Sequence, residues 1–202
     1  MHILGISSAT KVISIGLIDD DQVLVDQTVD DIHAEKILAY IQEAGIKPEQ
    51  IEGIAAAIGP GSYSGLRGGA AAAKTLAQVL NVPLVGVSTL AAIAYNLIDS
   101  KGTIAVILDA KREDVNFALF EVSNRRIKRL IEDTVIKNSE ISVEMAKIKG
   151  SVHLAKGAEL HPYGINVAKL GLLKIKAQKC ADPLKLKPRY SHMPNIREYV
   201  DK

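Results

Sequence analysis

Glycine and serine dominate the segment Gly59-Pro60-Gly61-Ser62-Tyr63-Ser64-Gly65-Leu66-Arg67. Small and apolar residues precede it over residues 53–58, and a long apolar stretch follows over residues 68–80. This order predicts a buried strand, a tight turn and then a helix. The glycines permit backbone angles that are closed to other residues, and Pro60 fixes its own. Ser62 and Ser64 can accept hydrogen bonds from the free N–H groups of the first helical turn.

The turn differs from three common glycine-rich loops. A Walker loop requires a lysine after Gly65, a dinucleotide loop requires glycine in place of Ser64, and an esterase elbow requires serine in place of Tyr63. Two interpretations remain open. The start of the helix can bind an anion, or the segment is a tight strand-to-helix connection without a ligand.

Length and composition bound the class of protein. The 202 residues suit one large domain or two small lobes, with 48% hydrophobic residues, 24% charged residues and a net charge of +2. Cys180 is the only cysteine, which excludes an internal disulfide and a cysteine metal site. We expect no signal peptide, no membrane span and a cytoplasmic location.

Periodicity and turn residues divide the chain into two lobes of mixed α/β structure, residues 1–100 and 101–202. The first lobe is predicted to contain strands at 2–6, 12–18, 22–29, 51–58 and 84–87, and helices at 32–44, 65–80 and 89–97, with Asp30 or Asp31 capping the first helix and Ser88 the last. The second is predicted to contain strands at 103–108, 114–122, 126–135 and 152–155, helices at 139–147 and 165–176, and a basic tail.

Small residues recur at every fourth position of the predicted helix 65–80, at Gly65, Gly69, Ala73 and Ala77. Such a face allows a second element to approach closely. It can contact the sheet of its own lobe or a helix of another subunit, and the sequence does not separate these two interpretations.

Four segments together carry a family resemblance: Ile3-Leu4-Gly5-Ile6-Ser7-Ser8-Ala9-Thr10, His33-Ala34-Glu35-Lys36-Ile37-Leu38, Gly59 to Arg67, and Asp109-Ala110-Lys111-Arg112-Glu113-Asp114-Val115. They resemble the TsaB (YeaZ) family, which acts in threonylcarbamoyladenosine biosynthesis on tRNA. The resemblance implies a two-lobed actin/sugar-kinase/Hsp70-like fold. Ser7 departs from the family's aspartate and Asn116 from its usual tyrosine.

The resemblance further implies a non-catalytic partner protein. Such a protein pairs with a TsaD-type catalytic subunit, helps to recruit a TsaE-type ATPase, meets tRNA indirectly through the complex and forms a homodimer when alone. The implied interface comprises His33, Ile37, Leu38, Ile41, Leu66, Gly69, Ala70, Ala73, Lys74 and Ala77. We expect Ala73→Arg to abolish pairing while leaving the monomer folded.

We expect no catalytic residue, no metal site and no nucleotide site of the chain's own. Residues 88–94 lack the H-x-x-x-H metal motif of the TsaD family, and none of the five histidines pairs at metal-ligand spacing. Ser7 replaces a carboxylate, and the turn at 109–112 lacks glycines. The resemblance leaves ATP or ADP at the interface with partners open.

Two other classes of function remain open. One is an enzyme acting alone, either an actin-like nucleotide-binding phosphotransferase or a metallopeptidase-like protein. The other is a basic RNA-binding tail, whose affinity would fall steeply with salt, formed by Lys174, Lys176, Lys179, Lys185, Lys187, Arg189 and Arg197.

Overall fold

The computed structural model describes residues 1–148 and 150–192, which form two β-sheets flanked by helices. The first sheet has the order β3-β2-β1-β4-β5. Its strands β1, β2 and β3 form an antiparallel meander, and β4 and β5 run parallel to β1. The bounds are β1 His2–Ser7, β2 Ile13–Asp19, β3 Gln22–Val29, β4 Gly53–Ala57 and β5 Leu84–Val87.

The second sheet has the order β8-β7-β6-β9. As in the first sheet, three strands form an antiparallel meander, here β6, β7 and β8, and the additional strand β9 runs parallel to β6. The bounds are β6 Gly102–Asp109, β7 Asp114–Ser123, β8 Arg126–Lys137 and β9 Val152–Lys156. Two lobes that each repeat this strand plan confirm the predicted actin/sugar-kinase/Hsp70-like fold class.

Five α-helices cover the sheets: α1 Ile37–Glu43, α2 Tyr63–Leu80, α3 Thr89–Ala94, α4 Ile141–Ala146 and α5 Gly164–Lys176. One face of the first sheet packs against α1 and α2, and its other face packs against α5. Because β1 and β4 are covered on both faces, their residues are almost all buried, as the continuous apolar runs predict.

The predicted assignment of the C-terminal helix to the second lobe is wrong. Helix α5 packs on strands of the first sheet, whereas α3, from the first half of the chain, packs on the second sheet. Close backbone approach explains the position of α5: a Cβ atom on Gly5 would lie 2.0 Å from the carbonyl oxygen of Gly164, and one on Gly16 would lie 2.4 Å from the amide nitrogen of Ile165. The two lobes therefore exchange helices.

The predicted caps of two helices are confirmed. The Ser62 hydroxyl accepts a hydrogen bond from the Gly65 N–H at 3.3 Å, and the Ser88 hydroxyl accepts one from Ala91 N–H at 3.2 Å. Ser64 is not a cap, because it already lies inside α2.

The predicted helix 32–44 is shorter in the structure. It begins as a 3₁₀ turn at Ala34–Lys36 and continues as α1. The Asp31 carboxylate accepts a hydrogen bond from the His33 N–H, so it orders the turn before the helix and does not cap the helix itself. Asp30 does not cap it either, since His33 occupies the N-cap position.

Substitution of Gly5 by alanine tests the contact between α5 and the first sheet. The added Cβ would overlap backbone atoms of α5, and we expect the free energy of unfolding to fall by about 2–3 kcal/mol in urea denaturation. Gly45→Ala is the control, because Gly45 has open space around it and a positive φ of 73°. We expect a loss of about 1 kcal/mol there, because a side chain disfavours the left-handed conformation. Equal losses in the two variants would contradict the packing argument.

Candidate functional site

The glycine-rich turn is packed against its own chain on three sides. A Cβ atom would lie 2.1 Å from the Arg189 carbonyl oxygen at Gly59, 2.2 Å from the Ala9 carbonyl oxygen at Gly61, and 1.9 Å from the Ser8 carbonyl oxygen at Gly65. The turn therefore requires glycine at these positions because backbone from the β1–β2 turn and from the C-terminal segment approaches it.

Hydrogen bonds hold this arrangement. The Ser62 N–H donates to the Ala9 carbonyl oxygen at 2.8 Å, the Ser8 hydroxyl donates to the Gly65 carbonyl oxygen at 2.8 Å, and the Thr89 N–H donates to the Gly59 carbonyl oxygen at 2.9 Å. Packing within the chain thus accounts for the glycines without a ligand, which favours the tight-connection interpretation of the turn.

The C-terminal segment passes over the turn from the first sheet towards the second. The Arg189 N–H donates to the Ile58 carbonyl oxygen at 2.6 Å, and the ring of Tyr190 lies 4.8 Å from that of Tyr63. The Ser191 hydroxyl donates to the side-chain oxygen of Asn116, which is buried. Asn116, the departure from the family's tyrosine, therefore ties this segment to the second sheet.

A cavity of about 470 Å³ lies between the lobes beside the turn. Tyr63, Asp109, Lys111, Tyr190 and His192 are among its lining residues. Lys111 is the only lysine or arginine among the residues that line it in the described part of the chain. The absence of a nucleotide site of the chain's own stays a prediction.

The first-turn serine Ser7 is buried at the end of β1, and its hydroxyl has no hydrogen-bond partner among the described residues. In residues 1–148 and 150–192, no three His, Cys, Asp or Glu side chains lie close enough together to share a metal ion. In the same residues, no helix is both long and apolar enough to cross a bilayer.

Most of the predicted interface residues lie in the chain's own core. Seven of the ten are buried: Ile37, Ile41, Leu66, Gly69, Ala70, Ala73 and Ala77. The small-residue face turns inwards because α2 rests on the β1–β2 turn, where a Cβ on Gly69 would lie 2.3 Å from the Ser8 hydroxyl oxygen. Contrary to the prediction, these seven side chains are therefore not available for contact with a partner. Leu38 and His33 are exposed, and Lys74 is half-buried beside Leu186.

The prediction that Ala73→Arg leaves the monomer folded is also wrong. Ala73 is 0% exposed among core side chains, so an arginine there would bury an unpaired charge and disrupt packing.

The opposite side of the same helix pair forms an open groove of about 400 Å³, which we call the helix groove. Its lining residues are Ile32, Ala34, Glu35, Leu38, Ser64, Gly68, Ala71, Ala72 and Thr75. Ile32 is 66% exposed and Leu38 49%, and Val79, one turn beyond Thr75, is 77% exposed. Ile32, Ala71 and Val79 were not among the predicted interface residues. A second set of small residues on α2, at Gly68, Ala71, Ala72 and Thr75, was the available signal.

Asp31 makes hydrogen bonds that order the segment before α1, which lines one side of the helix groove. Its carboxylate accepts hydrogen bonds from the Tyr40 hydroxyl, from the His33 N–H at 2.8 Å and from the Lys36 ammonium at 3.1 Å. These bonds, that of Tyr40 above all, hold the pKa of Asp31 well below its usual range. The charged carboxylate therefore stabilises the conformation of residues 31–40.

The basic C-terminal residues do not form one surface. Lys176 bonds to Asp20 at 2.8 Å, and Lys185 lies 3.5 Å from Asp182. Lys174, Lys179 and Arg189 line a cavity between the lobes, and Lys187 is exposed. Arg197 lies outside the described residues.

The family model described as "TsaD: tRNA N6-adenosine threonylcarbamoyltransferase" matches residues 28–200. Since the match covers most of the chain, the protein belongs to this family of threonylcarbamoyltransferase-related proteins.

Relatives named TsaB are among the sequence matches, as the four sequence segments predict. The tRNA threonylcarbamoyladenosine biosynthesis protein TsaB of Bacillus subtilis (strain 168) is 30% identical over 139 residues, which are 66% of this chain and 61% of that protein. The TsaB of Escherichia coli (strain K12) is 29% identical over 158 residues, 74% of this chain and 68% of that protein. The chain thus spans about 61% of the length of its B. subtilis relative.

A solved structure shares the fold. YeaZ from Pseudomonas aeruginosa superposes with a TM-score of 0.79 at 18% sequence identity, covering 94% of this chain and 99% of that one. At this identity the match supports the fold, and the sequence relatives support the family.

The role of Asp31 predicts a pH dependence. Because its folded-state pKa is lowered, its contribution to stability is complete above the unfolded value of about 3.9 and is lost as pH falls through the folded value. We expect Asp31→Asn to be less stable than the parent at pH 7, and the difference to narrow steadily below about pH 4. Urea denaturation at pH 2.5–7 measures it.

The matched control is Asp26→Asn, at an exposed position of β3. It should change stability little at pH 7. A pH-independent gap between Asp31→Asn and the parent would contradict the electrostatic explanation.

Proposed function

We propose that this chain is a non-catalytic partner subunit in the threonylcarbamoylation of tRNA, and that it acts by pairing with a TsaD-type catalytic subunit. The helix groove is the observation that supports this proposal. The names of the B. subtilis and E. coli relatives give the pathway, and the family of the chain gives the kind of partner.

The helix groove has the chemistry of a helix-docking surface. Three of its lining residues, Gly68, Ala71 and Ala72, are small and allow a second helix to approach closely. Ile32 and Leu38 add apolar side chains to the lining. An amphipathic helix can place its apolar side chains in such a groove at i, i+3, i+4 and i+7 spacing. The proposed interface thus keeps the predicted helix pair but uses its outer face.

Burial of the exposed apolar side chains would contribute much of the pairing energy. Full burial of an isoleucine, leucine or valine is worth roughly 1.5–3 kcal/mol. Ile32, Leu38 and Val79 still expose between half and three-quarters of their surface. Together they can therefore contribute a few kcal/mol, before the cost of association.

The finer parts of the proposal extend the same role. Within the complex, the pair would help to recruit a TsaE-type ATPase, and tRNA would be bound chiefly through the catalytic subunit. ATP or ADP at the interface with partners belongs to the proposal as well, and the cavity beside the glycine-rich turn is the place where it would be sought. A cytoplasmic location follows from this role.

An enzyme acting alone is the less supported alternative. A phosphotransferase of the actin type requires a glycine turn that is open to phosphates. In this chain Gly59, Gly61 and Gly65 face backbone atoms of residues 8, 9 and 189 instead.

Charge introduced into the helix groove tests the pairing. Ala71→Arg and Leu38→Glu place a charge on exposed positions of the groove, where a docked helix would bury it without a partner. We expect each to weaken binding to a TsaD-type subunit at least about 100-fold, measured by isothermal titration calorimetry, with the thermal stability of the isolated chain almost unchanged.

Matched controls carry the same substitutions elsewhere. Ala158→Arg and Leu184→Glu introduce the same charges at exposed positions outside the helix groove, and Leu184 is 73% exposed. They should leave affinity within about twofold. Retained affinity in Ala71→Arg and Leu38→Glu would show that the partner binds elsewhere.

The chain alone is expected to form a homodimer through the same groove, because an unpartnered apolar surface of this kind associates. Light scattering should give the dimer mass for the parent and the monomer mass for Ala71→Arg. The TsaD-type subunit should convert the homodimer into a heterodimer. A parent chain that is monomeric at all concentrations would contradict self-association but not pairing with the catalytic subunit.

A further inference from the structure

Seven basic side chains line two adjoining cavities of about 440 and 770 Å³ between the lobes, on the side of the first sheet that carries α5. The cavities share Ile127, Leu170 and Leu173 in their walls. We call this surface the basic cleft and define it by Arg125, Arg126, Arg129, Lys169, Lys174, Lys179 and Arg189.

The basic cleft concentrates the positive charge of the chain. Asp21 and Glu132 are the acidic residues among those that line it. The lining residues carry an excess of five positive charges, which falls to three when Asp99 and Asp133, the partners of two of the arginines, are included. Either value is larger than the net charge of +2 of the whole chain. The remaining surface is therefore net negative, and an anion approaching the protein is directed to this cleft.

Few of these cations have a counter-ion. Arg129 pairs with Asp133, and Arg125 lies 3.4 Å from Asp99. Within residues 1–148 and 150–192, the other five basic residues of the cleft have no carboxylate within 4 Å of their nitrogen atoms. Of these five, Lys169 and Lys174 are half-buried, and the other three are exposed. A bound anion would therefore be attracted by several cations that no carboxylate neutralises.

Lys174 shows most clearly how the neighbouring cations act on one another. Its ammonium group is half-buried and donates a hydrogen bond to the Gly86 carbonyl oxygen at 2.6 Å. Burial lowers the pKa of Lys174, and the charges of Arg189, Arg129 and Lys179 lower it further. An anion among these four side chains would supply the missing negative charge.

The arrangement matches an elongated polyanion better than a single small anion. Lys169 and Lys174 are about 7–8 Å apart along the axis of α5, and Lys179 lies beyond the end of that helix. The aromatic lining residues are Phe120, which is 2% exposed, and Tyr95. Because the Phe120 ring is covered by the guanidinium of Arg129, the cleft offers little stacking surface for a nucleobase.

We propose that the basic cleft binds the phosphate backbone of an RNA strand. The choice of RNA over another polyanion rests on the proposed function in tRNA modification. Contacts to phosphates alone give binding that is independent of sequence and depends strongly on salt. The cleft lies along α5 and beside the β5 edge of the first sheet, and it shares no lining residue with the helix groove, so RNA and a docked helix would occupy different surfaces.

Removal of three cleft charges tests the inference. The variant Lys169→Gln/Lys179→Gln/Arg189→Gln leaves Lys174 and its backbone hydrogen bond in place. We expect its affinity for a fluorescently labelled, unmodified tRNA transcript to fall at least about tenfold in fluorescence anisotropy at 50 mM KCl. Between 50 and 300 mM KCl, the slope of log K against log salt should become shallower by about two to three.

The matched control is Lys11→Gln/Lys128→Gln/Lys187→Gln, which removes the same charge from exposed positions outside the cleft. It should bind the transcript within about twofold of the parent. Equal losses in the two triple variants would overturn the inference, since net charge alone would then explain the binding. Saturable binding of inorganic phosphate or AMP to the chain, with no binding of the transcript, would overturn it in favour of a small ligand.

Two further measurements separate this inference from the proposed function. The cleft variant should still bind the TsaD-type subunit, and Ala71→Arg should still bind the transcript. Loss of partner binding in the parent chain, with RNA binding intact, would overturn the proposed function alone. An unchanged RNA affinity in the cleft variant, with pairing intact, would overturn the inference alone.

Discussion

The arrangement of both lobes depends on close backbone contact at the glycine-rich turn. The carbonyl oxygens of Ser8, Ala9 and Arg189 occupy the space that side chains would need at Gly65, Gly61 and Gly59. This contact joins three distant parts of the chain: the β1–β2 turn, the strand-to-helix connection and the C-terminal segment. It positions α2, whose outer face forms one side of the helix groove, and it brings Arg189 to the basic cleft.

The exchange of helices between the lobes adds a second constraint. Helix α5 packs on the first sheet although it follows the strands of the second, and α3 does the reverse. The two helices also meet directly, since the Asn166 side chain donates to the Ala92 carbonyl oxygen at 3.3 Å and to the Asn96 side-chain oxygen at 2.9 Å. A hinge between the lobes would have to break these buried contacts.

The sequence predicted those features that depend on local chemistry. Strands β1, β4 and β5 were recognisable because both faces are buried, and the starts of α2 and α3 because Ser62 and Ser88 cap them. The 3₁₀ turn before α1 was not predictable, because it depends on hydrogen bonds that Asp31 makes to Lys36 and Tyr40 only in the folded chain.

The sequence also did not predict which face of α2 remains exposed. Small residues occur on both sides of this helix, at Gly69 and Ala73 towards the core and at Gly68 and Ala72 towards the groove. A four-residue period is present in each set, so periodicity cannot choose between them. The buried face of α2 is determined only in the folded chain, where Gly69 packs against Ser8, a residue distant in sequence. The basic cleft was hidden for a related reason, because residues 125–129 and 169–189 converge only through the crossing of α5 to the first sheet.

The helix groove and the basic cleft differ in the physics of what they would bind. Exposed Ile32, Leu38 and Val79 favour association through apolar burial, which salt weakens little. The cleft would bind through counter-ion release, which salt weakens steeply. The helix groove lies on α2 and on the residues around α1, whereas the cleft lies along α5 and beside the β5 edge of the first sheet. Under the proposed function, one chain would therefore hold a protein partner and an RNA strand on separate surfaces.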